Sequence, residues 1–162
     1  MRRFLPLLLL LCACAKTEPA APRFAAAVAA AVGATPSVVE VKEGKERLPG
    51  KVVPVWVQRA LVPDEVLGAL PDERRPAADG EAKAVARIDC RSEAMGAYSD
   101  GVPAYRSVCG VEVRELPGLG VTARRQFAGK VPPRVQEEGR FISTTPPDYA
   151  AIADWLKSLP IK

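Results

Sequence analysis

The sequence predicts an α+β domain, in which a C-terminal helix packs on an antiparallel β-meander stapled by one disulfide. Residues 84–89, 111–114 and 121–127 alternate apolar and polar side chains, which is the pattern of half-buried strands joined by turns. Cys90 and Cys109 lie on either side of the first turn. An amphipathic segment near the C-terminus supplies the helix.

The two cysteines of the meander are expected to face each other across a hairpin. If Ser99 and Asp100 form the centre of its turn, both cysteines are equally distant from that centre. Cross-strand neighbours come within about 4.5 to 5.5 Å, which suits a disulfide, although a bulge at Asp100 or Gly101 would shift the register. The alternative, a zinc site, needs two further ligands, and the chain has no histidine and no Cys-X-X-Cys motif. We therefore expect a structural disulfide between Cys90 and Cys109.

Four shorter elements are predicted before the meander. Residues 23–34 are rich in alanine, which favours a helix. Residues 38–42 are β-branched and form a short strand. Residues 51–61 are apolar at both alternating sets of positions, so this strand is expected to be covered on both faces, and Pro54 places it at an edge or a bulge. Residues 63–70 begin with a proline and two acids, which suits the first turn of a brief helix.

The C-terminal helix is predicted to begin after a long proline-containing loop. Thr145 is expected to be its N-cap, with Pro146 as the first helical residue, and Pro160 ends it. Its apolar stripe consists of Tyr149, Ile152, Leu156 and Leu159, with Trp155 beside Ile152 and Leu159. We expect this stripe to pack across the sheet, whereas the polar positions of the meander indicate that one face of the sheet is partly open to water.

The N-terminus has the features of an export signal. Arg2 and Arg3 form a short basic start, and residues 4–13 form an apolar segment. This segment is shorter than the roughly 20 apolar residues that a transmembrane helix needs. Residues 1–13 are therefore expected to be a signal peptide.

Residues 11–14, which read Leu-Cys-Ala-Cys, resemble the lipobox of bacterial lipoproteins, in which a leucine and two small residues precede an invariant cysteine. The resemblance implies that Cys14 carries the lipid, palmitate included, and that residues 14–22 tether the domain to a membrane. Ala15 is not the aspartate that retains many lipoproteins at the inner membrane, which implies the periplasmic face of the outer membrane. Cys12 departs from the residues that are common at its position. The alternative is ordinary signal cleavage at a small-residue site.

Residues 23–162 are predicted to form a single domain. Removal of residues 1–13 leaves 149 residues, which is enough for one domain, and lowers the net charge from +4 to +2. Binding to duplex nucleic acid requires a concentrated basic face, so no nucleic-acid partner is expected. Cys12 would leave with the signal and Cys14 would carry lipid, so the two hairpin cysteines remain as a pair for an oxidising compartment.

Three segments of the second half, residues 104–109, 125–133 and 154–160, are similar to segments of uncharacterised bacterial envelope proteins. They read Ala-Tyr-Arg leading into Cys109, Arg-Gln-Phe-Ala-Gly followed by two prolines, and Asp-Trp-Leu-Lys-Ser-Leu-Pro. Those proteins pair a two-cysteine hairpin with a terminal helix. The resemblance implies one fold unit and no assigned activity.

No motif for catalysis is visible in the sequence. The lack of histidine removes the commonest general base and metal ligand, so we expect no enzyme, no cofactor and no metal site. One alternative is a small-ligand carrier with a pocket between the sheet and the terminal helix. Another is an envelope hydrolase, which would need carboxylates to converge in a pocket. The candidates are Asp64, Asp72, Glu73 and Glu137.

A group of basic residues around the long loop could bind an anionic lipid headgroup or an acidic partner. Its members are Arg124, Arg125, Lys130, Arg134 and Arg140. Strand alternation turns Arg124 and Arg125 to opposite faces, and two adjacent glutamates partly neutralise the group. A solvated surface is therefore the alternative.

The combined prediction is a lipid-anchored protein of the bacterial cell envelope that acts as a binding or interaction module. Its expected partners are the membrane, through the anchor, and an envelope protein or a cell-wall component. Trp56, Tyr98 and Tyr105 could line a groove for a sugar or a peptide, but aromatic residues at strand positions are more often part of the core.

Overall fold

A mixed β-sheet with helices on both faces forms the described part of the chain. The computed structural model describes residues 23–36, 41, 45–98, 101–130, 143–145 and 147–161. Its elements are α1 (Ala25–Gly33), β1 (Val52–Trp56), α2 (Asp64–Ala69), β2 (Ala84–Ala97), β3 (Pro103–Glu115), β4 (Val121–Ala128), β5 (Ser143–Thr145) and α3 (Tyr149–Ser158). The predicted signal peptide, the lipid-bearing cysteine, the tether and most of the predicted strand at 38–42 lie outside the described residues. None of the described helices has the length and apolar character needed to span a membrane.

The predicted meander and its disulfide are confirmed. Strand β3 pairs antiparallel with β2 on one side and with β4 on the other. Cys90 lies opposite Cys109 with 4.0 Å between the Cα atoms, and the two residues form a disulfide. The hairpin register shifts by one residue between Ala94 and Gly96, which lies between the turn and the cysteines. Without this shift, the register in which Ala97 pairs with Pro103 would place Cys90 opposite Gly110. Two residues of the predicted turn, Ser99 and Asp100, lie outside the described residues.

The sheet is not entirely antiparallel, because β1 pairs parallel with β2. The chain between these two strands passes through α2, which provides the crossover that parallel neighbours require. At the outer edge of β1, Val52 N donates to Arg74 O at 2.8 Å and Trp56 N donates to Leu61 O at 2.8 Å. Pro54 lies between these two residues, where its missing N–H would also point away from β2. Of the two positions expected for Pro54, an edge strand or a bulge, the structure shows the edge strand.

The strand predicted for residues 51–61 ends earlier than expected. A short 3₁₀-helix, Val57–Arg59, follows β1, and Ala60 has a positive φ of 49° that turns the chain. Leu61 then returns to hydrogen-bond with Trp56. Val57 is partly buried and residues 58–61 are exposed, so the burial expected for the longer strand is limited to β1.

Two hydrophobic clusters cover opposite faces of the sheet. One contains residues of α2 and α3 with the alternate strand residues Ala84, Ala86 and Ile88. Trp155 of α3 is buried there, with its ring centroid 5.6 Å from that of Phe127. The prediction that the C-terminal helix packs on the sheet is confirmed. The second cluster places α1 against the β1 edge of the other face.

The predicted start of the C-terminal helix was wrong. Thr145 belongs to β5, which pairs parallel with β3 inside the segment predicted to be a loop. The N-cap is Asp148, whose Oδ1 accepts a hydrogen bond from Ala151 N at 2.9 Å. An extended residue before a proline suits an N-cap as well as a strand, and the pairing of Thr145 with Arg106 of β3 places it in the sheet.

Candidate functional site

Among the described residues, α1 covers one end of its face of the sheet, and a polar cleft lies beside that cover. Its cavity has a volume of about 250 Å³. The lining residues are Pro36, Arg87, Asp89, Arg91, Val108, Gly110, Glu112, Arg124 and Gln126. We call this site the polar cleft.

Strand alternation places the charged residues of β2 in the cleft. Ala86 and Ile88 point into the cluster beneath α3, so Arg87 and Asp89 point to the opposite face. Helix α1 covers Val85 at the start of this face. Beyond that cover, the same alternation leaves polar side chains at the cleft.

A row of three charged residues crosses the cleft perpendicular to the strands. Arg87 of β2 lies opposite Glu112 of β3, which lies opposite Arg124 of β4. Glu112 Oε1 is 3.6 Å from Arg124 Nε, and its Oε2 is 2.7 Å from Nη2 of Arg114. Opposite charges at directly paired positions of neighbouring strands stabilise a sheet. We call these residues, Arg87, Glu112 and Arg124, the charged row.

Glu112 and Arg114 form a buried ion pair at one end of the cleft. Their side chains are 5% and 8% exposed. Arg114 Nε donates to Glu112 Oε2 at 3.2 Å, and its Nη2 donates both to this oxygen and to the carbonyl oxygen of Thr35 at 2.5 Å. The Thr35 contact attaches the segment after α1 to the sheet face. The pair therefore holds one wall of the cleft in place.

Arg87 is held at the base of the cleft by a second ion pair. Its Nη1 donates to Asp89 Oδ2 at 2.9 Å, and its side chain is 8% exposed. Gln58 Nε2 donates to Asp89 Oδ1 at 2.5 Å and to the carbonyl oxygen of Cys90 at 2.6 Å, which fixes the carboxylate. The buried Nε of Arg87 has no acceptor among the described residues.

The predicted anion-binding residues are distributed over different parts of the molecule. Arg124 lines the polar cleft, whereas the guanidinium of Arg125 lies on the opposite face, 5.7 Å from the centroid of the Phe127 ring. Lys130 is exposed after the end of β4. Arg134 and Arg140 lie outside the described residues. Of the predicted group, the structure thus places Arg124 in the cleft.

The sequence reasoning missed Arg87 and Arg91, the two cleft arginines on β2. A signal for one of them was present: the register that pairs Cys90 with Cys109 also pairs Arg87 with Glu112. The third member of the charged row, Arg124, lies on β4, opposite Glu112. The extension of the register to β4 depends on a shift beside Val113, which the sequence does not reveal.

A second groove, lined by aromatic and acidic residues, lies at the end of β1 and has a volume of about 370 Å³. The ring centroids of Trp56 and Tyr149 are 5.9 Å apart in an edge-to-face arrangement, and the Arg59 guanidinium lies 4.3 Å from the Trp56 ring centroid. Burial raises the pKa of the Tyr149 hydroxyl above its usual value, and the nearby Glu65 carboxylate raises it further. Asp64 also lines this groove.

The aromatic residues predicted to form one groove do not all meet there. Trp56 lines the groove at the end of β1, whereas Tyr105 lies on β3 opposite Ala94 in the distal half of the hairpin. Tyr98 follows β2 at the hairpin turn, where its amide donates to the carbonyl oxygen of Val102. Tyr149 was predicted only as part of the helix stripe.

The candidate carboxylates of a hydrolase occupy exposed positions around α2. Asp64 begins α2, whereas Asp72 follows the helix and pairs with Arg75, and Glu73 is exposed beside it. Glu137 lies outside the described residues. Among the residues that the structure describes, no group of three or more aspartate, glutamate or cysteine residues has the arrangement of a metal site.

The fold and the cleft together define a disulfide-bonded α+β domain with an arginine-containing site on one sheet face. No protein-family model matches the chain, and neither the curated proteins nor the solved structures contain a significant match.

Proposed function

We propose that this protein is a lipid-anchored binding module of the bacterial cell envelope, and that it binds its partner through the polar cleft. The observation that carries the proposal is the cavity on the sheet face beside α1, which Arg87, Arg91 and Arg124 line together. The partner is an envelope protein or a cell-wall component. The lipobox-like sequence that ends at Cys14 supplies the anchor.

The chemistry of the cleft supports recognition. Guanidinium groups stay protonated at neutral pH and donate hydrogen bonds in a fixed planar geometry. Asp89 and Glu112 both accept from arginines, so these carboxylates hold the guanidinium groups in position. Such a surface is suited to binding acceptor groups of a partner.

The disulfide supports the proposed compartment. Cys90 and Cys109 are directly paired and bonded. Disulfides of this structural kind form and persist in oxidising environments such as the bacterial periplasm. The disulfide and the export signal are therefore consistent with each other.

The anchor is tested by Cys14→Ser in cells that express the full chain, followed by fractionation into soluble and membrane material. We expect Cys14→Ser to move the protein to the soluble periplasmic fraction, because a thiol is needed for the lipid attachment that the lipobox resemblance implies. The matched control is Cys12→Ser, two residues earlier, which should leave membrane association unchanged. Equal membrane association of the parent and both variants would contradict the proposed anchor.

The binding role is tested by crosslinking the anchored protein in intact cells and identifying its partners by mass spectrometry. We expect a reproducible partner whose recovery falls when Arg91→Gln changes the exposed rim of the cleft. Arg125→Gln, on the other face of the sheet, serves as the control because it removes the same charge. If the two variants recover the same partners in equal amounts, the cleft is not the binding surface.

A further inference from the structure

We propose that the polar cleft binds a carboxylate group, either of a small organic acid or of the C-terminus of a peptide. This inference rests on the proposed function, because it names the class of ligand that binds at the same site. It is carried by the space above Gly110, by the excess of arginine in the lining, and by the incompletely paired guanidinium of Arg87.

Gly110 provides the floor of the cleft. It lies in the middle of β3, paired with Asp89 on β2 and Gln126 on β4. Its φ lies outside the positive range that favours glycine, and a Cβ added there would approach only the carbonyl oxygen of Asp89, at 4.0 Å. The backbone therefore does not require glycine. A glycine in the interior of a strand has no side chain to pack against its neighbours and so weakens the strand. One recognised reason for a glycine at such a position is the close approach of a ligand.

The lining carries an excess of positive charge. Three arginines face two carboxylates, which leaves one positive charge among the lining residues. Arg91 is exposed at the rim and forms no ion pair with any residue in the described ranges. Arg114, which pairs with Glu112 at one end of the cleft, adds to this positive charge. Asp89 and Glu112 would still repel a dianion such as phosphate more strongly than a monoanion. A carboxylate is the monoanionic group whose two oxygens match the planar fork of a guanidinium.

Arg87 gives the cleft a directional donor. One edge of its guanidinium is held by Asp89, but its buried Nε has no described acceptor. A buried donor without an acceptor is unfavourable, so an incoming acceptor that lets the guanidinium reorient and pair fully would gain free energy on binding. Arg87 at the base and Arg91 at the rim lie four residues apart on the same face of β2 and line the same cavity, so both can contact one ligand.

The size of the cavity limits the ligand. A volume of about 250 Å³ is below the usual range for drug-sized ligands, roughly 300 to 1,000 Å³. The cleft therefore has room for a small acid or for the last residues of a peptide. A longer peptide would extend beyond the rim, past Arg91.

The test is isothermal titration calorimetry on the full-length lipidated protein in a nonionic detergent. Four probes are titrated: succinate, N-acetyl-alanyl-alanine with a free carboxylate, the same dipeptide as its C-terminal amide, and inorganic phosphate. We expect succinate or the free dipeptide to bind, the amide to bind at least about tenfold more weakly, and phosphate to bind more weakly than the carboxylate probe. Succinate as the stronger ligand identifies an organic acid, and the dipeptide identifies a peptide terminus.

Three variants locate the binding. Arg91→Gln should weaken the carboxylate probe about tenfold, because it removes a charge-assisted hydrogen bond. Gly110→Val should abolish binding by filling the floor, and its melting temperature shows whether the fold is retained, since valine suits a strand. Arg125→Gln, which removes an arginine from the opposite face, should bind like the parent.

The proposal is overturned if no carboxylate probe binds, if the amide binds as tightly as the free dipeptide, or if phosphate is the tightest ligand. Equal losses in Arg91→Gln and Arg125→Gln, or unchanged binding in a folded Gly110→Val protein, overturn it as well. The purified protein is used here, so failure of the anchor in cells and failure of carboxylate binding are separate results.

Discussion

The buried ion pair between Glu112 and Arg114 allows a quantitative test of how the cleft wall is held. In Glu112→Leu, Arg114 keeps its charge but loses a carboxylate that accepts two of its hydrogen bonds, at 2.7 and 3.2 Å. Its remaining described acceptor is the carbonyl oxygen of Thr35. Removal of one partner of a buried pair costs about 3 to 5 kcal/mol, because the other charge stays buried without compensation. We expect a loss of this size in the free energy of unfolding.

The double variant Glu112→Leu with Arg114→Met separates this explanation from a general packing defect. When both charges are replaced by apolar groups of similar size, the desolvation cost disappears as well, and such replacements are often neutral or stabilising. We therefore expect the double variant to recover most of the stability that Glu112→Leu loses. Arg124→Met provides the control: its side chain is 47% exposed and 3.6 Å from Glu112, so the change should cost no more than about 1 kcal/mol.

The assay is urea unfolding followed by tryptophan fluorescence, with the disulfide intact and the slope of the transition compared among variants. The full expected loss is a large fraction of the 5 to 15 kcal/mol that typically stabilises a domain. A double variant that is as unstable as Glu112→Leu, or less stable, would refute the reasoning. Such a result would mean that the side-chain volume, rather than the uncompensated charge of Arg114, determines the loss.

Two further predictions concern the disulfide and the groove at the end of β1. Replacing Cys90 and Cys109 by serine should lower the free energy of unfolding by about 3 kcal/mol, because the disulfide closes a loop with a separation of 19 residues. The melting temperature should fall by roughly 10 °C. Equal melting temperatures of the parent and the variant under oxidising conditions would contradict this prediction. Burial, and then the Glu65 carboxylate, raise the pKa of Tyr149 in the folded state, so folding favours the neutral phenol. This contribution to stability is fully present below the unfolded pKa of 10.0 and is lost as the pH rises through the folded pKa. Tyr149→Phe should remove that alkaline loss when unfolding is measured at increasing pH, and identical pH profiles of the parent and the variant would show that Tyr149 does not contribute.

Much of the fold could be predicted because its main signals are local. Alternation over residues 84–89 and the equal spacing of the two cysteines define the central hairpin without knowledge of the rest of the chain. Helix α3 was predicted from its apolar stripe, although its cap is Asp148 rather than Thr145. Thr145 precedes the two prolines and Asp148 follows them, and both are residue types that favour an N-cap. The pairing of β5 with β3, which includes Thr145, decided between them.

The candidate site could be predicted only in part. Arg124 was identified from sequence because it belongs to a dense basic stretch, but its neighbours in the cleft come from another strand. Arg91 lies 33 positions earlier in the chain, and the sheet pairing brings it to the same cavity. Gly110 has no sequence signal of its own, since its role depends on the empty space above it.

The sequence by itself determined the central hairpin, its disulfide and the amphipathic character of the C-terminal helix, because each follows from a pattern within a short segment. Only the tertiary structure decided that β1 pairs parallel with β2 and that α1 covers one end of a sheet face. These arrangements depend on which distant surfaces bury apolar area together, and periodicity does not specify that choice. The polar cleft results from the same choice, because it is the part of the face that α1 leaves uncovered.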